Sequence, residues 1–154
     1  MMNKKLLLLL LPAALFGCSD NNNQKDLERP KIIDVDNVSP VTCQTILRGD
    51  TLPIRCLFTD NKELGAFNIE IHNNFDHHSH STSAEDCPFD PDRKPENPWI
   101  YNEDMQIPEN SVSYNLNIEI PIPNDVDTGD YHFMIRLTDK AGWQVFKAVS
   151  LKMR

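Results

Sequence analysis

Short runs of alternating apolar and polar residues constrain this chain more than any other feature. Beyond Pro30 they recur at 31–38, 41–48, 52–59, 66–73, 111–120, 130–138 and 143–152, each bounded by Pro, Asn, Asp or Gly. A period of two belongs to strands buried on one face, and the bounding residues are turn formers. No segment carries a sustained helical period. About seven such strands predict one all-β domain, an immunoglobulin-like β-sandwich. In 130–138, Tyr131, Phe133, Ile135 and Leu137 take the core face, and His132, Met134 and Arg136 the other. Thr138-Asp139-Lys140-Ala141-Gly142-Trp143 supplies hairpin chemistry, with Gly142 free to take positive φ, and Thr59-Asp60-Asn61-Lys62-Glu63-Leu64-Gly65 is equivalent punctuation after the third strand. Such Asp-containing turns also occur in calcium-binding sandwiches, but each stands isolated along the chain and is read as turn geometry.

Ahead of the domain lies an address. Residues 1–17 combine Lys4 and Lys5, a leucine run from Leu6 to Leu11, and small or apolar residues leading to Leu15-Phe16-Gly17-Cys18. This reads as a secretory signal, too short to span a bilayer as a stable helix. The last four residues resemble the lipobox of bacterial lipoproteins, which implies cleavage before Cys18 and its acylation. Several acyl chains suffice for stable membrane anchoring. Residues 18–30 then read as the lipidated cysteine and a flexible tether, because the stretch from Ser19 to Asp26 is polar and aperiodic, and 31–154 as the sandwich. The expected location is the bacterial outer membrane, facing the periplasm or the cell surface. With 15 Lys+Arg against 23 Asp+Glu the chain carries −8, which repels polyanions, so nucleic acid is not an expected partner. None of its 5 Gly forms a phosphate-cradling loop between strand and helix, which leaves nucleotide chemistry unsupported.

Cys43, Cys56 and Cys87 remain, an odd number in an oxidising compartment, so at most one intramolecular pair forms. If Gly49-Asp50 closes a hairpin, Cys43 faces Cys56 at a non-hydrogen-bonded position, and that register predicts a Cys43–Cys56 disulfide. Pro53 argues against it by removing an amide the ladder would use. Cys87 is then a free thiol close in sequence to the histidines, either a soft metal ligand or simply buried.

Four of the 5 histidines fall within 72–80. Alternation places Phe67, Ile69 and Ile71 in the core, so Asn68, Glu70 and His72 project from the opposite face. His77, His78 and His80 follow on a loop that can fold back over the strand end. His132 projects from the polar face of a strand that in this kind of fold lies beside 66–73, which makes His72 and His132 candidate cross-strand neighbours. Neutral imidazoles are ligands for zinc, copper and nickel, and three or four converging ones make a site. Asp76 or Glu70 is a further ligand or fixes a histidine tautomer. His77 is the weakest candidate, since adjacent residues of an extended chain point apart. The competing reading is a solvated loop that is merely rich in histidine.

The motif Glu70-Ile71-His72-Asn73-Asn74-Phe75-Asp76-x-His78-x-His80, with Gly129-Asp130-Tyr131-His132-Phe133-Met134 and the closing Thr138-Asp139-Lys140-Ala141-Gly142, resembles domain-of-unknown-function family 4625, uncharacterised bacterial lipoproteins. The resemblance spans roughly residue 31 to the C-terminus. It implies an immunoglobulin-like sandwich without an established activity, and it carries over His72, Asp76, His78, His80 and His132. It also implies further histidines on the strand before the Ile-Pro segment. This chain has Leu116-Asn117-Ile118 ahead of Pro121, so no ligand is carried over there.

Residues 85–98 hold four prolines and several acids and are read as an irregular excursion in which Asp86, Asp90 and Asp92 are solvated, with a cap on the metal site or a hard-cation site as the alternative. Trp99 and Tyr101 are read as core anchors re-entering the sandwich. Ser79 and Ser81 lie near histidines, but no oriented base or oxyanion hole accompanies them, so an enzyme is not expected. The first functional reading is a lipoprotein binding zinc, copper or nickel through His72, His78, His80, His132 and Asp76, for metal acquisition or buffering, with an outer-membrane transporter or other surface protein as partner. The second is an immunoglobulin-like adhesion or glycan-binding module with no metal role.

Overall fold

The alternating runs become the strands of two packed sheets in the computed structural model, which describes residues 25–79 and 87–154. The expected signal segment, the lipidation site Cys18, most of the tether, and His80, Ser81 and Asp86 lie outside the described residues. Eight strands occur among the described residues: β1 (Lys31–Ile33), β2 (Gln44–Ile46), β3 (Thr51–Thr59), β4 (Leu64–Asn73), β5 (Tyr101–Gln106), β6 (Ser113–Pro121), β7 (Gly129–Asp139) and β8 (Gln144–Met153). One sheet has the order β1-β3-β6 and the other β2-β8-β7-β4-β5. The protein is an all-β sandwich, and the chain changes sheet at every step except β4 to β5 and β7 to β8, as in immunoglobulin-like folds. Near the start of β7 the buried Tyr131 hydroxyl donates to the Asp127 carbonyl at 2.8 Å and accepts from the Trp99 amide at 3.1 Å. The bond to Asp127 is the tyrosine corner of that fold class.

Inward-facing residues of both sheets make one core. Leu52, Ile54, Cys56 and Phe58 of β3 meet Phe67, Ile69 and Ile71 of β4 and Tyr131, Phe133, Ile135 and Leu137 of β7, all almost fully buried. Each such large side chain contributes about 1.5–3 kcal/mol on burial. The Phe58 and Phe67 rings pack edge to face across the sheets, 5.3 Å apart. Trp99 is buried in the same core and Tyr101 packs against it, as expected of anchors.

Three expectations need correction. β5 is an additional strand, laddered to β4 from Ala66↔Gln106 to Ile71↔Tyr101, and its polar Asn-Glu-Asp centre hid it. The runs at 31–38 and 41–48 shorten to β1 and β2, because β1 pairs with β3 only over Leu57 to Thr59 and β2 pairs in parallel with the end of β8. The 43–56 hairpin does not form, since β2 and β3 belong to different sheets. Cys43 is bonded to Cys87 instead, with a Cα–Cα distance of 5.6 Å, and Cys56 is a buried free thiol opposite Leu116 of β6. Cys87 is therefore neither a thiol nor a ligand. Pro53 sits without penalty because Arg55, two residues on, turns its amide and carbonyl to Ser39, away from β6. Pro53 faces the same side, where β1 does not reach. Residues just ahead of Lys31 also pack on the sandwich. Asp26 is buried, its carbonyl accepts from the Trp143 indole at 3.0 Å, and Arg29 lies over the Trp143 ring.

Candidate metal centre

β4 and β7 are central neighbours in the five-stranded sheet, and their register sets His72 directly opposite His132. Both project from the outer face, because Ile71 and Phe133 beside them fill the core. Their rings stand 5.6 Å apart and nearly perpendicular, with His132 only 5% exposed.

The turn after β4 brings a third imidazole to them. The Asn74 amide donates to the Asp130 carbonyl at 2.8 Å, and Phe75 packs edge to face on Tyr131. Gly129 makes room for that ring. It has φ +128°, and a Cβ there would lie 2.9 Å from the Phe75 edge. His77 then takes a left-handed φ of 53° and its amide reaches back to the Asn74 carbonyl. This reversal sends the adjacent histidines in different directions. His77 stacks on Phe89 at 4.2 Å, with Nδ1 2.6 Å from Asp92 and Nε2 2.9 Å from the Asp90 carbonyl. His78 returns over His72, the rings nearly parallel at 5.4 Å and 5.2 Å from the His132 ring.

The nitrogens of His72, His78 and His132 lie within 4.8 Å of one another. Glu70 Oε1 stands 3.0 Å from His72 Nδ1, and Asp76 Oδ1 2.5 Å from His78 Nδ1. The bond to His78 holds the Asp76 carboxyl below the usual carboxylate range. Asp76, hydrogen-bonded to His78 Nδ1, keeps the proton on that nitrogen and leaves the His78 Nε2 lone pair for a cation, whereas Glu70 lies close to His72 Nδ1 without forming a hydrogen bond. The two Nε2 atoms face each other at 3.3 Å. That separation suits a hydrogen bond from one ring N–H to the other ring's bare nitrogen, and equally two bare nitrogens sharing one cation. Bonds of 2.0–2.1 Å at a tetrahedral angle put two nitrogens about 3.3–3.4 Å apart, whereas a square-planar cis pair would lie at about 2.9 Å.

Of the residues expected from the sequence, His72, His78 and His132 converge, and Asp76 stands behind His78 instead of among the donors. His80 lies outside the described residues. Asp90 is half-buried and bound to Arg154, while Asp92 pairs with His77 and stays exposed to solvent as expected. Sequence reasoning missed the supports: the disulfide at Cys87, and Lys152, whose ammonium joins the Asp130 carboxylate to the Pro88 carbonyl. These hold residues 87–93 against His77, and no spacing in the sequence signals them. Beside the histidines a groove of about 540 Å³ runs along the outer sheet face, lined by Asn68, Glu70, Met134, Arg136, Gln144 and Phe146.

No curated protein matches the chain. A family model does match it over residues 16–154, nearly its whole length. The chain belongs to the family described as Domain of unknown function (DUF4625).

Proposed function

We propose that this protein is a lipid-anchored lipoprotein, acylated at Cys18, that binds a divalent transition metal through His72, His78 and His132. It is a binding protein and not an enzyme. The carrying observation is the convergence of one ring nitrogen from each of His72, His78 and His132 within 4.8 Å, with the His72 and His78 Nε2 atoms 3.3 Å apart and Asp76 bonded behind His78. Tetrahedral spacing and nitrogen donors favour zinc, with copper and nickel as competitors that follow the affinity order of such sites. His80, two residues beyond His78, is the expected fourth donor. A half-exposed site on an anchored domain suits metal acquisition or buffering, with handover to an outer-membrane transporter or another surface protein.

The second reading is a glycan-binding or adhesion module. It is favoured by the outer-face groove, where the exposed Phe146 ring lies among Asn68, Arg136 and Gln144, an aromatic platform with polar groups. Calorimetric titration of the purified chain with zinc, copper and nickel separates the two. The metal reading expects one-to-one binding at micromolar affinity or tighter, lost in His72→Ala/His132→Ala and weakened in His78→Ala, whose side chain is half-buried. Weak binding, or binding indifferent to these variants, overturns it and directs the search to glycans.

A further inference from the structure

The two Asp-containing turns that stand isolated along the sequence meet at the opposite end of the sandwich from the histidines. Asp60 follows β3 and Asp139 ends β7, and oxygens of Asp26, Asp60 and Asp139 lie within 4.8 Å of one another. His132 and Asp139 share β7 seven residues apart, about 24 Å at the rise of a strand. The acidic cluster is thus a separate site.

Each carboxylate commits one oxygen to its local turn. Asp60 Oδ1 accepts from the Lys62 and Glu63 amides, both at 2.8 Å, and Asp139 Oδ1 from the Trp143 amide at 2.8 Å. Asp26 Oδ1 accepts from the Glu28 amide and the Asn61 side chain. Those bonds, the Asn61 one foremost, hold the Asp26 carboxyl below its ordinary range, with Lys62 adding its charge. The second oxygens are different. Asp60 Oδ2 and Asp139 Oδ2 are shut off from solvent and accept no hydrogen bond, and Asp139 as a whole is only 4% exposed. An ionised oxygen buried without a donor is costly, and native folds answer it with a cation or a proton.

We propose that Asp26, Asp60 and Asp139 form a calcium site that clasps the N-terminal segment to the sandwich. The donors are all hard oxygens, the ligand class of calcium and not of the metals that imidazoles take. A spread no greater than 4.8 Å equals about twice a calcium–oxygen bond of 2.4 Å, the width of its coordination sphere. Asp26 is the member that gives the site its role. It lies on the segment leading into β1, beside Arg29 and under the Trp143 indole, so a calcium ion joins this entering segment to two loops of the sandwich.

The test uses the full chain stripped with a chelator. Calcium chloride should raise its thermal midpoint, more than magnesium or sodium chloride at matched ionic strength, and should slow tryptic cleavage at Lys25 and Lys31. Asp139→Asn and Asp60→Asn should each weaken calcium binding by about tenfold or more, since affinity follows the number of charged ligands. His72→Ala/His132→Ala should leave it unchanged. Terbium is a second probe, independent of stability: its emission should be sensitised by Trp143, displaced by calcium, and lost in both Trp143→Phe and Asp139→Asn. A midpoint indifferent to calcium, with no displaceable terbium signal, overturns the proposal. So does an Asp139→Asn chain that is more stable than the parent while neither responds to calcium, because a shared proton then satisfies the carboxylates. If Asp139→Asn fails to fold, Asp60→Asn and the parent chain's terbium displacement decide.

Discussion

The Tyr131 hydroxyl holds two chain segments at once, donating to the Asp127 carbonyl and accepting from the Trp99 amide. Burial pushes its ionisation above the ordinary tyrosine value, so it remains a donor at neutral pH. Tyr131→Phe keeps the ring and strips both partners, leaving an amide and a carbonyl at a buried junction. The expected cost is about 1–3 kcal/mol in urea or guanidinium unfolding, and a loss under about 0.5 kcal/mol would mean that water replaces both bonds. That Tyr131 faces the core was legible, because the period of two assigns every residue of β7 to a side. The same rule placed His72 and His132 together on the outer face. It ranked His77 below His78, but their separation depends on one left-handed residue and not on extended alternation, and it left open whether Asp76 is a ligand or backs a ring. In an irregular turn, spacing no longer dictates direction.

Among the elements, long alternating strands were legible and short or shared ones were not. β3, β4, β6, β7 and β8 each turn a run of alternate residues toward the core, whereas β2 has three residues and is held only by the end of β8. Pairing of cysteines follows from which strands are neighbours, and the hairpin between 43 and 56 was the wrong neighbourhood. The Cys43–Cys87 bond closes a sequence separation of 44, which corresponds to about 4 kcal/mol of lost unfolded-state entropy. Reduction should therefore lower the unfolding midpoint of the parent chain and of Cys56→Ser, and leave Cys87→Ser unaffected. Thiol counting with a maleimide gives an independent check. Burial pushes the Cys56 thiol up to about 12, so it should react only after unfolding. A reduction-insensitive parent chain, or a readily labelled native thiol at Cys56, would contradict the pairing.

Across the whole molecule, charge decides how the irregular segment after the histidines stays with the sandwich. Asp90 receives both guanidinium nitrogens of Arg154, at 2.7 and 3.0 Å, while its amide donates to Asp130 at 2.8 Å. The Arg154 bonds, with Lys152 nearby, hold the Asp90 carboxyl below the usual carboxylate range. A carboxyl whose folded pKa is depressed adds stability that is complete above its unfolded value, near 3.8, and is lost as pH falls through the lower folded value. The pair is partly exposed, so its contribution should be no more than about 1 kcal/mol. Asp90→Asn should accordingly be less stable than the parent at pH 7, with the two curves converging as pH drops from about 4 toward 2, where both side chains are neutral. Unfolding midpoints measured across that range test it, and a constant gap down to pH 2 would show that Asp90 acts through its shape and not its charge. Metal at the histidines belongs to a different pH window. A free imidazole protonates near pH 6.5, so a metal-dependent rise in stability should disappear well before the Asp90 curves begin to converge. The two transitions can therefore be read separately by titrating the parent with and without metal beside Asp90→Asn.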